Sequence, residues 1–459
     1  MIMSRIAAIP DDTQFPQLQV VTDKVAMQEI FQRQLPGFSE GRLEIDRLKL
    51  KRFNYTPGQE CRICYALRVK DLATGGEGDQ IFFALVEPNG TTQAKYLQAQ
   101  REAHVHPEFG PAVHWLPQLN MVLWGFPNDP KLKELHRLVA HNALAEILRK
   151  AWDSFRLPPD LGLAGVATTV VKYVPELRCT LRHRLSLEPA GDLVIYSKTF
   201  GHRASGELVF KTMQALWNAA VCQSGEIMIP EPLFFLGEMN AIFVRGLEGV
   251  NADENLEALD LDSAGAAIGA ALAGIQQCRI DGLGLRSDQY VLSQLVAAEE
   301  RLSSFDVIYK PRVESIIEAL REKHLSLTQL APAPIHTAFR LSQWLVVDKK
   351  LALIDFDTFL LGNPISDVAS FVAHLLYLSI IGKLTPEQSR SAICHFCRAY
   401  AERAPWGLPA DVLAWQTAAL LVTEQAKKCV RLAKKNYRHT VDQLLRLAAE
   451  VMNGKLSLT

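Results

Sequence analysis

The sequence predicts an α+β fold in which a small β-lobe occurs twice in tandem ahead of a larger helical lobe. Three observations predict it. A Tyr-x-Pro-x-x-x-Cys-x-x-x-x-x-Leu pattern at Tyr55–Leu67 recurs at Tyr173–Leu185. The last third of the chain carries helix start signals and apolar residues at helical spacing. An apolar strand, Leu351–Ile354, ends in Asp355-Phe356-Asp357.

Each copy of the repeat reads in the same order. Apolar alternation on both sides of a Pro-containing turn is the signature of a hairpin. An aromatic-rich strand follows, Ile81–Leu85 in the first copy and Val194–Lys198 in the second. A helix comes next, Thr92–Glu102 or Ser205–Trp217, and then a strand pair ending in Asn120–Trp124 or Asn240–Val244. The expected domains are therefore 1–150, 160–250 and a helical lobe over 255–459. In that lobe Thr385-Pro386-Glu387-Gln388 combines an N-cap, Pro at the first helical position and Gln at the third, a capping box. Val412, Leu413, Trp415, Leu420, Leu421, Val430 and Leu432 predict a helical stretch over 410–435.

The chain as a whole excludes several classes. At 459 residues it is long enough for two or three domains. A net charge of −1 gives no basis for a nucleic-acid partner. The apolar runs Ala264–Ile275 and Val368–Ile381 are shorter than the roughly 20 residues a membrane span requires, so both are expected to be core helices and no membrane partner is expected. The N-terminus has early acidic residues and no long apolar stretch, which makes it a poor signal peptide. Eight cysteines in a chain this long are no secreted disulfide framework. The pairs Cys61/Cys64 and Cys394/Cys397 have metal-site spacing, but neither completes a four-ligand set, so all are expected as core thiols in a reducing, cytoplasmic compartment. The same argument reads His104, His106 and His114 as no metal site, and the stripe Lys427, Arg431, Lys434, Lys435 and Arg438 as a solvated helix face.

Residues 334–371 read PIHTAFRLSQWLVVDKKLALIDFDTFLLGNPISDVASF. This segment resembles the catalytic and metal-binding segment of the aminoglycoside/choline-kinase-like phosphotransferases, and both small-lobe copies and the helical lobe stand in the matching order. The resemblance implies a protein-kinase-like bilobal fold preceded by a second small-lobe-like domain. It also implies ATP and Mg²⁺ as cofactors and a small hydroxylated substrate. Lys198, at the end of its strand, stands where the family places the phosphate-pairing Lys, with Glu207 as its expected partner. The first copy has Leu85 at the matching position and is not expected to bind a nucleotide by this device. The turn Pro175-Glu176-Leu177-Arg178 lacks glycine, and Arg178 is the candidate side-chain cation there. Asp355 and Gln343 match the metal ligands, and Asp357 is a further candidate ligand. Asp367 matches the Asp that braces the catalytic loop, and His336 the His that packs beneath it.

One departure stands out. Ala338 occupies the position of the catalytic Asp, which in the resembled enzymes accepts the acceptor hydroxyl proton. Thr337 cannot take a proton at neutral pH, and Arg340 adds positive charge that favours an anionic ligand. Two classes follow: a pseudokinase-like module that binds a nucleotide, a small molecule or a protein partner without turnover, and an active phosphotransferase whose base is another carboxylate such as Asp357. A largely dissociative transition state also permits transfer without a base.

Overall fold

The computed structural model describes residues 12–454, except 14, 57, 89, 103–104, 190, 202 and 432–435. The chain divides into two compact units. One is built by the described residues up to Arg203 with Leu236–Ala241, the other by Ala204–Phe235, Ile242–Val430 and the residues from Asn436.

The first unit opens with helices α1 (Leu18–Thr22) and α2 (Lys24–Gln34). Three antiparallel strands follow, β1 (Leu43–Thr56), β2 (Glu60–Asp71) and β3 (Glu77–Val86), then α3 (Thr92–Ala99), β4 (Val113–Leu116) and β5 (Met121–Gly125). A second helix pair, α4 (Leu135–Val139) and α5 (His141–Lys150), precedes β6 (Gly162–Val174), β7 (Arg178–Glu188) and β8 (Asp192–Phe200). Asp23 caps α2 by accepting the amides of Val25 and Ala26 at 2.9 and 3.2 Å, which satisfies donors the first turn cannot. Gln32 ties α2 to the sheet, donating to Leu43 O at 2.8 Å and accepting from Ile45 N at 2.9 Å. Alternate side chains of the sheet, among them Ile63, Tyr65, Phe82, Ala84 and Leu123, pack with Phe31 and Met27 of α2 into one core.

The later elements are α6 (Arg203–Asn218), α7 (Ala220–Gln223), β9 (Pro232–Leu236), β10 (Ala241–Arg245), β11 (Val250–Asn251), α8 (Leu261–Gln276), α9 (Asp288–Phe305), α10 (Lys310–His324), β12 (Ala333–Ile335), β13 (Trp344–Val347), β14 (Lys350–Leu353), β15 (Leu360–Gly362), α11 (Ile365–Ile380), α12 (Pro386–Arg403), α13 (Ala410–Leu420), α14 (Lys427–Arg431) and α15 (Tyr437–Met452). The two five-stranded sheets have the same order, β1-β2-β3-β5-β4 and β6-β7-β8-β10-β9. The register also repeats. Leu85 lies opposite Arg62 and Lys198 opposite Thr180, each partner seven residues beyond the Tyr of its motif. The helix pair α4–α5 falls within the 1–150 span expected for the first domain, yet it stands before the second sheet as α1–α2 stand before the first.

In the second unit the Ala/Gly-rich run is α8, and its small residues let α12 approach closely. A Cβ on Gly269 would lie 2.2 Å from Phe396 O. The run Val368–Ile381 lies mostly in α11, nearly all of which is buried. Among the described residues no helix is long and apolar enough to cross a membrane. The capping box forms: Thr385 Oγ1 accepts Gln388 N at 3.1 Å, and Gln388 Oε1 accepts Thr385 N at 2.9 Å. Thr385→Ala is expected to cost about 1 kcal/mol in a urea unfolding series. The predicted helix over 410–435 is interrupted by a π-helical turn at Leu421–Ala426, a feature frequent at functional sites. Leu432, Lys434 and Lys435 lie outside the described residues, and Arg438 pairs with Asp306 at 3.0 Å. All eight cysteines are free thiols. His104 lies outside the described residues, and among those described no three His, Cys, Asp or Glu are grouped to hold a metal.

Candidate functional site

The loop His336–Gln343 is framed by two short strand pairs. β12 pairs with β15 before it, and β13 with β14 after it. Asp348 and Lys349 make the β13–β14 turn with φ of 47° and 65°, the left-handed geometry that fits a tight hairpin. Trp344 lies opposite Leu353, and Ile354 N donates to Gln343 O at 2.9 Å. The hairpin therefore brings Gln343 and Asp355 to the same end. Asp355 itself has φ +70°, which turns the chain sharply out of β14. Asp357 follows two residues on and is partly exposed.

Asp367, in the first turn of α11, holds the loop. It is fully buried and accepts His336 N at 2.6 Å and Thr337 N at 2.8 Å. Burial raises its pKa to about 6, although these two amides pull it back. Thr337 has φ +67°, an unfavourable value for a β-branched residue. Thr337 Oγ1 donates to Thr358 O at 3.2 Å, and Thr358 Oγ1 to His336 O at 3.1 Å. These bonds over-determine the strained residue. His336 packs among Phe339, Phe356 and Phe359 with Nε2 3.3 Å from Ile354 O. Burial lowers its pKa to about 4, so the ring is neutral at pH 7 and donates through Nε2. It is a buried histidine bonded to backbone, as expected from its position.

Ala338 and Arg340 are partly exposed. The Arg340 Nε is enclosed without a hydrogen-bond partner. Sequence reasoning missed its neighbour Glu424, in the π-helical turn. Burial raises the Glu424 pKa, while Arg340, Arg286 and Lys428 pull it down. Its Oε2 is enclosed without a hydrogen-bond partner. A glutamate two residues past the apolar run Ala418–Val422 was the available signal. Arg286 also went unnoticed; its Nη2 donates to Ser366 Oγ at 2.8 Å, beside Asp367. Elsewhere in this unit Asp253 is 3.6 Å from His374 and 3.2 Å from Lys383. Burial alone would raise the Asp253 pKa, but these two partners bring it down to about 2.

In the first unit Lys198 lies half-buried on β8 with Nζ 5.8 Å from the Phe200 ring centroid. The opposite face of β8 is closed by buried His183, which meets Thr168 Oγ1 at 2.9 Å and Ser197 Oγ at 2.7 Å. Arg178 opens β7 directly after the turn. Glu207, on α6, is exposed and 2.7 Å from Lys211, an ordinary i,i+4 pair.

Residues 188–406 match the phosphotransferase enzyme family. No curated protein matches the chain. Solved structures similar to it include a choline/ethanolamine kinase family protein from Mesorhizobium loti, at 15% identity and a TM-score of 0.43, covering 66% of this chain and 94% of that one. A thermostable mutant of the aminoglycoside phosphotransferase APH(4)-Ia, in ternary complex with ADP and hygromycin B, matches at 13% identity and a TM-score of 0.45, covering 68% and 98%. A glucosamine kinase in complex with glucosamine, ADP and inorganic phosphate matches at 16% identity and a TM-score of 0.46, covering 68% and 87%. The fold is α+β, with a five-stranded β-sheet ahead of the residues that match the family.

Proposed function

We propose, for a chain whose residues 188–406 match the phosphotransferase enzyme family, that it binds ATP with Mg²⁺ and that phosphoryl transfer is impaired or absent. Lys198 and Arg178 would meet the phosphates, with Glu207 the expected partner of Lys198. Asp355 and Gln343, with Asp357 in reach of the same turn, would hold the metal. The donor set fits a hard cation, because Mg²⁺ uses one or two protein carboxylates and completes its shell with water and phosphate oxygens. Bound there, the ion would supply charge neutralisation to the phosphates.

The observation that carries this reading is selective loss. The loop keeps its bracing Asp367, its packed His336 and the hairpin that sets Gln343 beside Asp355. Where the resembled family has a carboxylate to receive a hydroxyl proton, this chain has Ala338.

A second reading, an active small-molecule O-phosphotransferase with another base, is favoured by Glu424. A carboxyl whose pKa is raised by burial is better matched to proton transfer near neutrality than an exposed one, and Asp357 is the alternative carboxylate.

Calorimetry with ATP, with and without Mg²⁺, tests the nucleotide site. Wild type is expected to bind in a Mg²⁺-dependent manner and Lys198→Ala to lose at least about tenfold in affinity. Absence of binding to wild type sinks the nucleotide reading and leaves the fold as a scaffold.

A further inference from the structure

The turn between β6 and β7 is held by residues far from it in sequence. The Asp129 carboxylate is buried, and its Oδ2 accepts the Tyr173 hydroxyl at 2.6 Å and Glu176 N at 2.9 Å. Its Oδ1 accepts Lys131 N and Leu132 N at 2.7 and 2.8 Å. Glu176 takes φ +62° and is itself buried, with Arg62 Nε of β2 at 2.9 Å and Lys131 Nζ at 3.4 Å from its carboxylate. Gly201 permits close seating of the turn, since a Cβ there would lie 2.4 Å from Glu176 O. The first hairpin carries a twin of this device: Asp12 Oδ2 accepts the Tyr55 hydroxyl and Gly58 N, and Gly58 has φ +67°.

The twins differ in what they face. Tyr173 packs against a cluster of Phe83, Leu85, Val122 and Trp124 on the first sheet and Ala99 of α3, and Phe126 meets its ring edge-on at 5.3 Å. Leu85 is the counterpart of Lys198, and its cross-strand neighbour is Arg62. The face of the first sheet that corresponds to the Lys198 face of the second is thus apolar, and the second hairpin is seated on it.

We propose that the first β-sheet domain is a clamp that presets the β6–β7 turn for nucleotide, with Asp129 as the positioning residue. The inference rests on the nucleotide reading given above. A glycine-rich turn approaches phosphate by flexibility and lack of side chains. Here the amides of Glu176 and Leu177 are taken by Asp129 and Val174, so the turn offers the Arg178 side chain instead of a backbone cradle, and a left-handed residue held by a four-fold satisfied carboxylate leaves less ordering for the ligand to impose.

The test compares Asp129→Asn with Asp12→Ala in the full chain, reading ATP affinity by calorimetry and amide exchange at Glu176 and Leu177. Asp129→Asn is expected to weaken Mg·ATP by about tenfold and to speed exchange at both amides. Asp12→Ala, which removes the acceptor of both bonds at the twin turn, is expected to leave ATP affinity within about twofold. If Asp129→Asn does not fold, Tyr173→Phe removes one bond of the clamp and carries the same comparison. Unchanged ATP affinity in a folded Asp129 or Tyr173 variant overturns this inference and leaves the nucleotide reading intact. Equal losses in the Asp12 variant also overturn it, because they mark a general loss of stability. Absence of ATP binding to wild type overturns both.

Discussion

Ala338→Asp is expected to raise ATP turnover by about 10²–10⁴-fold, the range a positioned general base supplies. The gain follows from what the loop already holds. Asp367 fixes the amides of His336 and Thr337, Phe339 is fully buried, and the side chain between Thr337 and Phe339 is therefore launched from a defined backbone. A carboxylate added there enters a prepared position. ADP release with and without added acceptors measures it. A gain marks a phosphotransferase machinery whose only missing part is the base. No gain, with Mg·ATP binding retained, means that Arg340 or the acceptor side of the loop has diverged as well. Turnover already present in wild type and abolished by Glu424→Gln would instead establish the second reading.

Asp367→Asn is expected to destabilise the protein by about 1–3 kcal/mol at pH 7, because an amide offers one acceptor oxygen where two buried N–H groups need one each. The pH dependence of that loss is the sharper test. The His336 pKa is depressed to about 4, so its neutral form contributes stability that is present above pH 6.5 and is lost as pH falls through 4. The Asp367 pKa is raised to about 6, so its neutral form contributes stability that is present below pH 3.8 and is lost as pH rises through 6. Each is on the order of 3 kcal/mol, the windows overlap and the signs oppose. The two therefore nearly cancel in wild type. Asp367→Asn removes one side and exposes the other, so the variant is expected to lose about 3 kcal/mol more than wild type between pH 6.5 and 4 in urea unfolding. A parallel course of the two proteins across that window would contradict the assignment.

Much of the architecture is legible because it is written in local periodicity. Alternation around Tyr55 and Tyr173 marks the hairpins, and the observed strands contain them. Thr385-Pro-Glu-Gln marks a helix start that forms as a reciprocal pair of hydrogen bonds. The strand ending in Asp355 is equally local. Helices α1, α2, α4 and α5 escaped notice because they are short or largely polar on their outer sides, and the interruption of 410–435 by a π-helical turn leaves no mark on apolar spacing.

The sequence by itself determined that a Tyr-x-Pro-x-x-x-Cys-x-x-x-x-x-Leu hairpin pattern occurs twice, that helical spacing follows, and that the loop at 336–343 holds alanine at 338. Those are statements about residue types in order. Only the tertiary structure decided which carboxylate holds which turn. Asp129 meets Tyr173 and Glu176, Asp367 meets His336 and Thr337, and Glu424 lies enclosed in the field of Arg340 and Arg286. The tertiary structure likewise decided that Leu85, where the second copy has Lys198, helps make an apolar seat for Tyr173. The physical reason is range. Periodicity reports on neighbours within a few residues, whereas a buried charge is placed by whichever distant backbone amides and cations the packed chain brings within hydrogen-bonding reach.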